Sequence, residues 1–203
     1  MPNYSLHLVT DGKLNNLLDL IVEAVDGGVT TVQLRSKQAD KLPLYNIGKK
    51  ILKLLRPKKI PFIINDHIDL ALALNADGVH IGQSDLPHQM TRHLLGKNKI
   101  IGLSLQTLLH AKIAEKFDVD YFGVGPVFNS TTKTDAAAMG LDILQEITQR
   151  VQKPCIAIGG IEIENVKSVL SRGAQGIAVV SGICASINPK LATINYAREL
   201  TSG

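Results

Sequence analysis

The chain alternates two patterns from end to end. Short apolar runs, several of them rich in β-branched residues, end in polar residues or glycine. Each is followed by a longer stretch with apolar residues three and four apart, most of them closed by Gly, Asn or Pro. The first pattern reads as a buried strand and the second as an amphipathic helix. The spacing predicts strands at 5–9, 30–34, 62–64, 79–81, 100–103, 121–124, 154–158 and 176–180. It predicts helices over 14–25, 42–55, 68–75, 87–95, 107–116, 141–151, 164–172 and 189–200. Strict alternation implies parallel strands joined by helical crossovers. Eight such units predict an α/β protein with a single-domain (β/α)8 barrel over residues 1–203, shorter than the usual size for that fold. The alternative is an open doubly wound sheet. It normally carries a glycine-rich turn after its first strand, and LVTDGKL has none. Four strand entries also echo one another at every second strand: DGGVTTVQLR, NADGVHIG, DVDYFGVG and GAQGIAVVSG. A barrel built from repeated two-unit modules would show this.

The stretch PFIINDHIDLALALNADGVHIGQSD, residues 61–85, is the most informative. It reads as strand, polar tip, helix, strand, polar tip. In a parallel sheet the two tips share one end, and neighbouring strands lie ~4.8 Å apart. Asp66 and Asp85 therefore converge on one place. Two carboxylates facing one spot repel unless a proton or a cation lies between them. Two readings stand at this point. One is a hard divalent cation, Mg²⁺, bound together with a phosphate-bearing substrate. The other is that each aspartate caps the helix after it.

Composition narrows the class. A net charge of +4 is mild. The densest basic segment, KKILKLLRPKK, has apolar residues at helical spacing and no interleaved aromatics. It reads as the solvated face of a helix and not as a nucleic-acid surface. No apolar run is long enough to span a bilayer. MPNYSLHLVTD lacks the features of a secretory signal, so a soluble cytoplasmic protein is expected. The two cysteines, Cys155 and Cys184, have no metal-ligand spacing, and Cys155 reads as a small buried hydrophobe. A homo-oligomer is left open.

The polar residues at strand ends carry the chemistry. Gln33, Arg35, Lys37, Asn65, Asp66, Asp85, Ser104, Ser130, Thr132, Lys133, Gly160 and Ser181 all follow predicted strands, at the end where barrels build their active sites. Cations, candidate metal ligands, hydroxyls and small residues together suit a polyanion. Alternation along the second strand puts Gln33 and Arg35 on the interior side if Val32 and Leu34 face the helices. An interior arginine needs a counter-ion, either a phosphate or a buried carboxylate. The segment 125–140, GPVFNSTTKTDAAAMG, is longer than an ordinary connection and reads as a binding loop. The glycines of AIGGI and GIAVVSG let backbone N–H groups approach an anion after strands seven and eight. A lone strand histidine, His80, reads as a hydrogen-bonded core residue. There is no nucleophile elbow and no activated cysteine.

Taken together, QLRSK, INDHIDLALALNADGVHIGQSD, GLS, GVGPVFNSTTK, AIGGI and GIAVVSG resemble the thiamine phosphate synthase family over essentially the whole chain and in the family's order. The resemblance implies a (β/α)8 barrel. It also implies a transferase that joins 4-amino-2-methyl-5-hydroxymethylpyrimidine diphosphate to a thiazole phosphate, releasing pyrophosphate, with Mg²⁺ as cofactor and small molecules as its partners. Position by position, it implies Asp66 and Asp85 as metal ligands. Arg35, Lys37, Asn65 and Lys133 would hold the diphosphate, and Gln33 and Ser104 would lie on the pyrimidine side. Ser130 and Thr132 would lie near the thiazole phosphate, with Gly160, Val180 and Ser181 as its cradle. Arg35, Lys37, Lys133 and Ser104 are the expected catalytic groups. Two departures stand out. Asn129-Ser130 replaces the family's usual Pro-Thr, which keeps a hydroxyl, and Leu105-Gln106 follows Ser104. A related isomerase of the same fold, thiazole tautomerase, is the alternative. A non-catalytic phosphate-binding barrel is a third reading. The joint presence of Asp66, Asp85 and Lys133 favours the synthase.

Overall fold

The computed structural model describes residues 2–12, 15–36, 39–129 and 137–201. Eight parallel strands close into a barrel in sequence order. They are β1 (Leu6–Val9), β2 (Thr31–Leu34), β3 (Phe62–Asn65), β4 (Gly78–Ile81), β5 (Ile100–Leu105), β6 (Tyr121–Val124), β7 (Cys155–Ile158) and β8 (Gly176–Val179). Closure comes from β1 pairing with β8, with Leu8 opposite Val179. The outer ring is α1 (Leu17–Asp26), α2 (Lys41–Leu55), α3 (Ile68–Leu74), α4 (His88–Leu95), α5 (Leu108–Ala114), α6 (Gly140–Arg150), α7 (Val166–Leu170), α8 (Ser181–Cys184) and α9 (Pro189–Thr201). All eight expected strands and eight expected helices are present. The four-residue α8 was not expected, because so short a turn carries no readable period. The expected start of the first helix at Leu14 lies outside the described residues.

Strand alternation sorts the side chains into two cores. Leu6 and Leu8, Val32 and Leu34, Phe62 and Ile64, Val79 and Ile81 face outward and join the buried layer beneath the helices. The intervening residues face inward. His7, Thr31, Gln33 and His80 are all buried polar groups, and Tyr4, Val9, Tyr121, Ile156 and Ala178 form a smaller interior cluster. Cys155 packs in the outer layer, where burial pushes its thiol up to about 12. In α2, Lys49, Lys50 and Lys53 are exposed while Ile51, Leu52 and Leu55 are buried. The basic run is thus a solvated helix face. No helix among the described residues is long and apolar enough to cross a membrane.

Two glycines make room inside the barrel. A Cβ on Gly102 would lie 2.2 Å from the Tyr121 ring and 2.5 Å from His80 Nδ1. A Cβ on Gly123 would lie 2.7 Å from His80 Cε1. The His80 side chain thus projects across β5 and β6 through space that glycine alone leaves open. Overpacking of this kind costs about 1–3 kcal/mol. Gly102→Ala is accordingly expected to lower the melting temperature by roughly 2–12 °C, read by thermal unfolding. An unchanged melting temperature would mean that the interior yields freely.

Candidate active site

One cavity of about 360 Å³ opens where the strands end. Its walls come from strand C-termini and the loops after them, and its floor reaches down to His7, His80 and Tyr121. Seven of the sequence-predicted residues line it: Gln33, Arg35, Asn65, Ser104, Gly160, Val180 and Ser181. Lys37, Ser130, Thr132 and Lys133 lie outside the described residues.

Arg35 follows β2 and is held by its backbone. Its N–H donates to Thr10 Oγ1 at 2.9 Å, and the Thr10 hydroxyl donates to the Arg35 carbonyl at 2.8 Å. Thr10 itself is fully buried, so β1 sets where β2 releases its arginine. Among the described residues no carboxylate lies within ion-pair distance of Arg35, so the reading that paired it with a buried acid has no support there. The guanidinium remains close enough to Asp66 to favour that carboxylate's charged form.

Asp66 and Asp85 do converge. Asp66 sits at the end of β3 with a left-handed backbone, φ 63°, a conformation that aspartate tolerates better than most residues. Its N–H donates to the His80 carbonyl at 2.9 Å, while the His67 N–H closes a tight turn onto the Asn65 carbonyl at 2.7 Å. Asp85 follows β4, and its Oδ2 accepts from the Gly82 N–H at 2.6 Å. The Asp66 carboxyl is raised above its ordinary range by burial first, then by the charge of Asp85 and a side-chain hydrogen bond with it. Two carboxylates are therefore held face to face. Neither caps a helix: the capping positions of α3 and α4 are His67 and Pro87, and neither makes a side-chain cap.

This donor set fits Mg²⁺. It offers hard oxygens, and among the described residues no group of three or more His, Cys, Asp or Glu comes together. Magnesium is typically held by one or two carboxylates, with substrate phosphates and water completing an octahedron. Asp66 and Asp85 would supply the protein's share.

The opposite wall is built from backbone. The segment after β6 folds onto the end of β7: the Val127 N–H donates to Ile158 O at 2.9 Å, and the Phe128 N–H to Gly159 O at 3.0 Å. Gly160 has φ 63°, and a Cβ there would lie 2.5 Å from Asn129 O. Its carbonyl accepts from Asn165 Nδ2 at 3.0 Å. Val180 and Ser181 face the same space from the end of β8. Arg35 after β2, Asn65 of β3, His80 of β4 and the glycine-rich ends of β7 and β8 thus surround one chamber, while the Asp66–Asp85 pair follows β3 and β4 outside its lining.

Of the interior polar groups, Gln33 and Ser104 are expected in the site, whereas His7, His80 and Tyr121 carry no site signal in the sequence. His80 was read as a hydrogen-bonded core residue, which it is, but it also lines the cavity. His80 Nδ1 lies 3.0 Å from Tyr121 Oη and Nε2 lies 2.9 Å from Ser104 Oγ. Gln33 hydrogen-bonds Tyr121, whose phenol burial holds far above its usual range. His7 is 1% exposed, and its Nε2 has no partner among the described residues. Burial, then the nearby His80, lowers its pKa to about 3.

Comparison with known proteins gives a family model and relatives that agree with it. The thiamine monophosphate synthase family model matches residues 6–183. A thiamine-phosphate synthase of Clostridium acetobutylicum is 49% identical over 187 residues, covering 91% of this chain and 89% of that one. One from Methanobrevibacter smithii is 43% identical over 197 residues, covering 96% and 94%. A solved structure of thiamine phosphate pyrophosphorylase from Pyrococcus furiosus superposes with a TM-score of 0.91 at 36% identity, covering 99% of this chain and 97% of that one.

Proposed function

The chain belongs to the thiamine monophosphate synthase family, and from that premise we infer that it is a transferase of thiamine biosynthesis. It condenses 4-amino-2-methyl-5-hydroxymethylpyrimidine diphosphate with hydroxyethylthiazole phosphate to give thiamine phosphate and pyrophosphate. The observation that carries the assignment of roles is the Asp66–Asp85 pair, which the Arg35 charge reaches, with Arg35 and Asn65 lining a cavity whose other wall is Gly160, Val180 and Ser181. That arrangement suits two phosphate-bearing substrates held at opposite sides of one chamber. The isomerase reading has no comparable support, because the relatives above carry the synthase name.

The carbon–oxygen bond to diphosphate breaks first, and its electron pair leaves with the diphosphate. The remaining methylene cation is stabilised by the lone pair of the pyrimidine's 4-amino group. The thiazole nitrogen then donates its lone pair to that carbon. No protein nucleophile enters the sequence. Arg35 and Asn65 hold the departing diphosphate, and Lys37 and Lys133 are proposed to join them. Asp66 and Asp85 would hold Mg²⁺, which when bound supplies positive charge to the leaving group. Gln33 and Ser104 take the pyrimidine. Gly160, Val180 and Ser181 hold the thiazole phosphate, with Ser130 and Thr132 proposed alongside. Two anchored phosphates fix the angle of approach, converting an encounter into a near-unimolecular step. The apolar Val9, Ile156, Ile158 and Ala178 in the cavity wall keep water from the cation.

The test is direct. Purified, folded protein given both substrates and Mg²⁺ is expected to form thiamine phosphate, measured by oxidation to fluorescent thiochrome phosphate, and chelation of the metal is expected to stop it. Absence of product with Mg²⁺ present overturns the assignment.

A further inference from the structure

A hydrogen-bonded chain crosses the floor of the cavity, and its middle is not used by the chemistry above. It runs Gln33–Tyr121–His80–Ser104; its two ends are placed against the pyrimidine, and the Tyr121–His80 link between them has no role there. Its geometry is unusually determined. Tyr121 is 1% exposed and His80 9%. The Tyr121 and His80 rings pack with centroids 5.5 Å apart. Gly102 and Gly123 shape the space so closely that neither position has room for a Cβ. The imidazole bonds at both nitrogens, so its ring cannot turn without breaking both contacts. A fixed ring in turn fixes the Ser104 hydroxyl, which would otherwise rotate freely about its Cβ–Oγ bond.

We propose that His80 is a positioning residue for the transfer, holding Ser104 Oγ as a hydrogen-bond acceptor for the amino group of the pyrimidine. This rests on the synthase reading. The direction of the chain follows from charge. As the leaving group departs, positive charge spreads onto the 4-amino group, so its N–H becomes a stronger donor. The group facing it must accept. Ser104 then has its own proton to place, and it donates to His80 Nε2. The histidine carries its proton on Nδ1 and donates to Tyr121 Oη. Tyr121 Oη accepts it, as it accepts from the Gln33 amide. The opposite polarity would aim the Ser104 proton at a developing cation. His80 is thus neutral, in the Nδ1–H form, and acts through Ser104.

Three measurements test this. First, His80→Asn shortens the side chain so that it no longer reaches Ser104, whereas His80→Gln keeps an amide of sufficient reach. The asparagine variant is expected to lose about tenfold in kcat with an unchanged KM for the thiazole phosphate, and the glutamine variant to recover to within about threefold of the parent. Second, in a Ser104→Ala background His80→Asn is expected to cost about twofold or less, because the residue it positions is gone. Losses that multiply in full would make His80 a mere filler of the barrel and overturn the proposal. Third, ¹⁵N NMR of the free protein is expected to show the His80 proton on Nδ1, and a proton on Nε2 overturns it. This third readout needs neither turnover nor a variant, so it stands even where His80→Asn fails to fold. Failure of the unaltered protein to make thiamine phosphate would instead remove the synthase reading on which the proposal depends.

Discussion

Asp85→Ala is expected to lower Mg²⁺-dependent turnover by about three orders of magnitude while thiazole phosphate binding, measured by titration calorimetry, persists. The size follows from what the charge does: removing preorganised stabilisation of a leaving group costs roughly 10²–10³ in rate, and losing a metal's share of it costs more. The separation follows from place. Asp85 follows β4 outside the cavity lining, whereas Gly160, Val180 and Ser181 follow β7 and β8 and line it. Asp85 also accepts from the Gly82 N–H, so alanine removes a turn contact as well as a charge. Asp85→Asn separates the two, since its amide oxygen still accepts from Gly82. The asparagine variant is expected to lose turnover nearly as fully. Normal turnover in Asp85→Asn, or equal loss of catalysis and thiazole binding in Asp85→Ala, would make the residue structural. The pH dependence has a definite sign. Because burial, and then the charge of Asp85, raises the Asp66 carboxyl, a proton competes for the pair more strongly than for an ordinary carboxylate. More Mg²⁺ is therefore needed for half-activation as pH falls through that raised range.

His7→Phe is expected to remove most of an acid-sensitive slope in stability. The unfolded chain takes up a proton on His7 near its ordinary value of 6.5, and the folded chain does not until about 3. Between those values the unfolded state binds one more proton, so the stability associated with His7 is present above pH 6.5 and is lost as pH falls towards 3. At pH 5 the loss is about 2 kcal/mol. The groups facing His7 are the rings of Tyr4, 5.7 Å away, and Tyr121, 5.3 Å away, with His80 as the nearby titratable group. A phenyl ring suits the two aromatic neighbours and leaves no nitrogen without a partner. Urea unfolding at pH 7 and pH 5 should show the variant losing roughly 2 kcal/mol less than the parent over that interval. Parallel losses in the two proteins would mean that His7 is not the group responsible.

Much of this was readable in the chain because its period is simple. Alternation in TVQLR placed Gln33 and Arg35 inward, and both line the cavity. The strand–tip–helix–strand–tip pattern of 61–85 by itself brings Asp66 and Asp85 together. The choice between a carboxylate pair and two helix caps was not readable, because it turns on the left-handed backbone of Asp66 and the exact start of each helix. The role of His80 was hidden for another reason. What distinguishes it from an ordinary core histidine is the space left by Gly102 and Gly123, and that space exists only once the strands are in register: His80 opposite Gly102, and Ser104 opposite Gly123. Sequence periodicity reports which face a residue occupies, not which neighbours it meets there. Lys37, Ser130, Thr132 and Lys133 remain proposals carried by the family pattern.

The same three positions bear on how this barrel can change over time. A histidine at position 80 fills the space that glycines at 102 and 123 leave open. Gaining a methyl group at either glycine while the imidazole stays creates an overlap; losing the imidazole while both glycines stay creates a void. Each single step is penalised, and the joint step is not. Across the descendants of a common ancestor these positions should therefore be inherited as one unit. Residues on β4, β5 and β6 would then covary although they lie far apart in the chain, and a lineage that abandoned the histidine should show its two glycines drifting to larger residues.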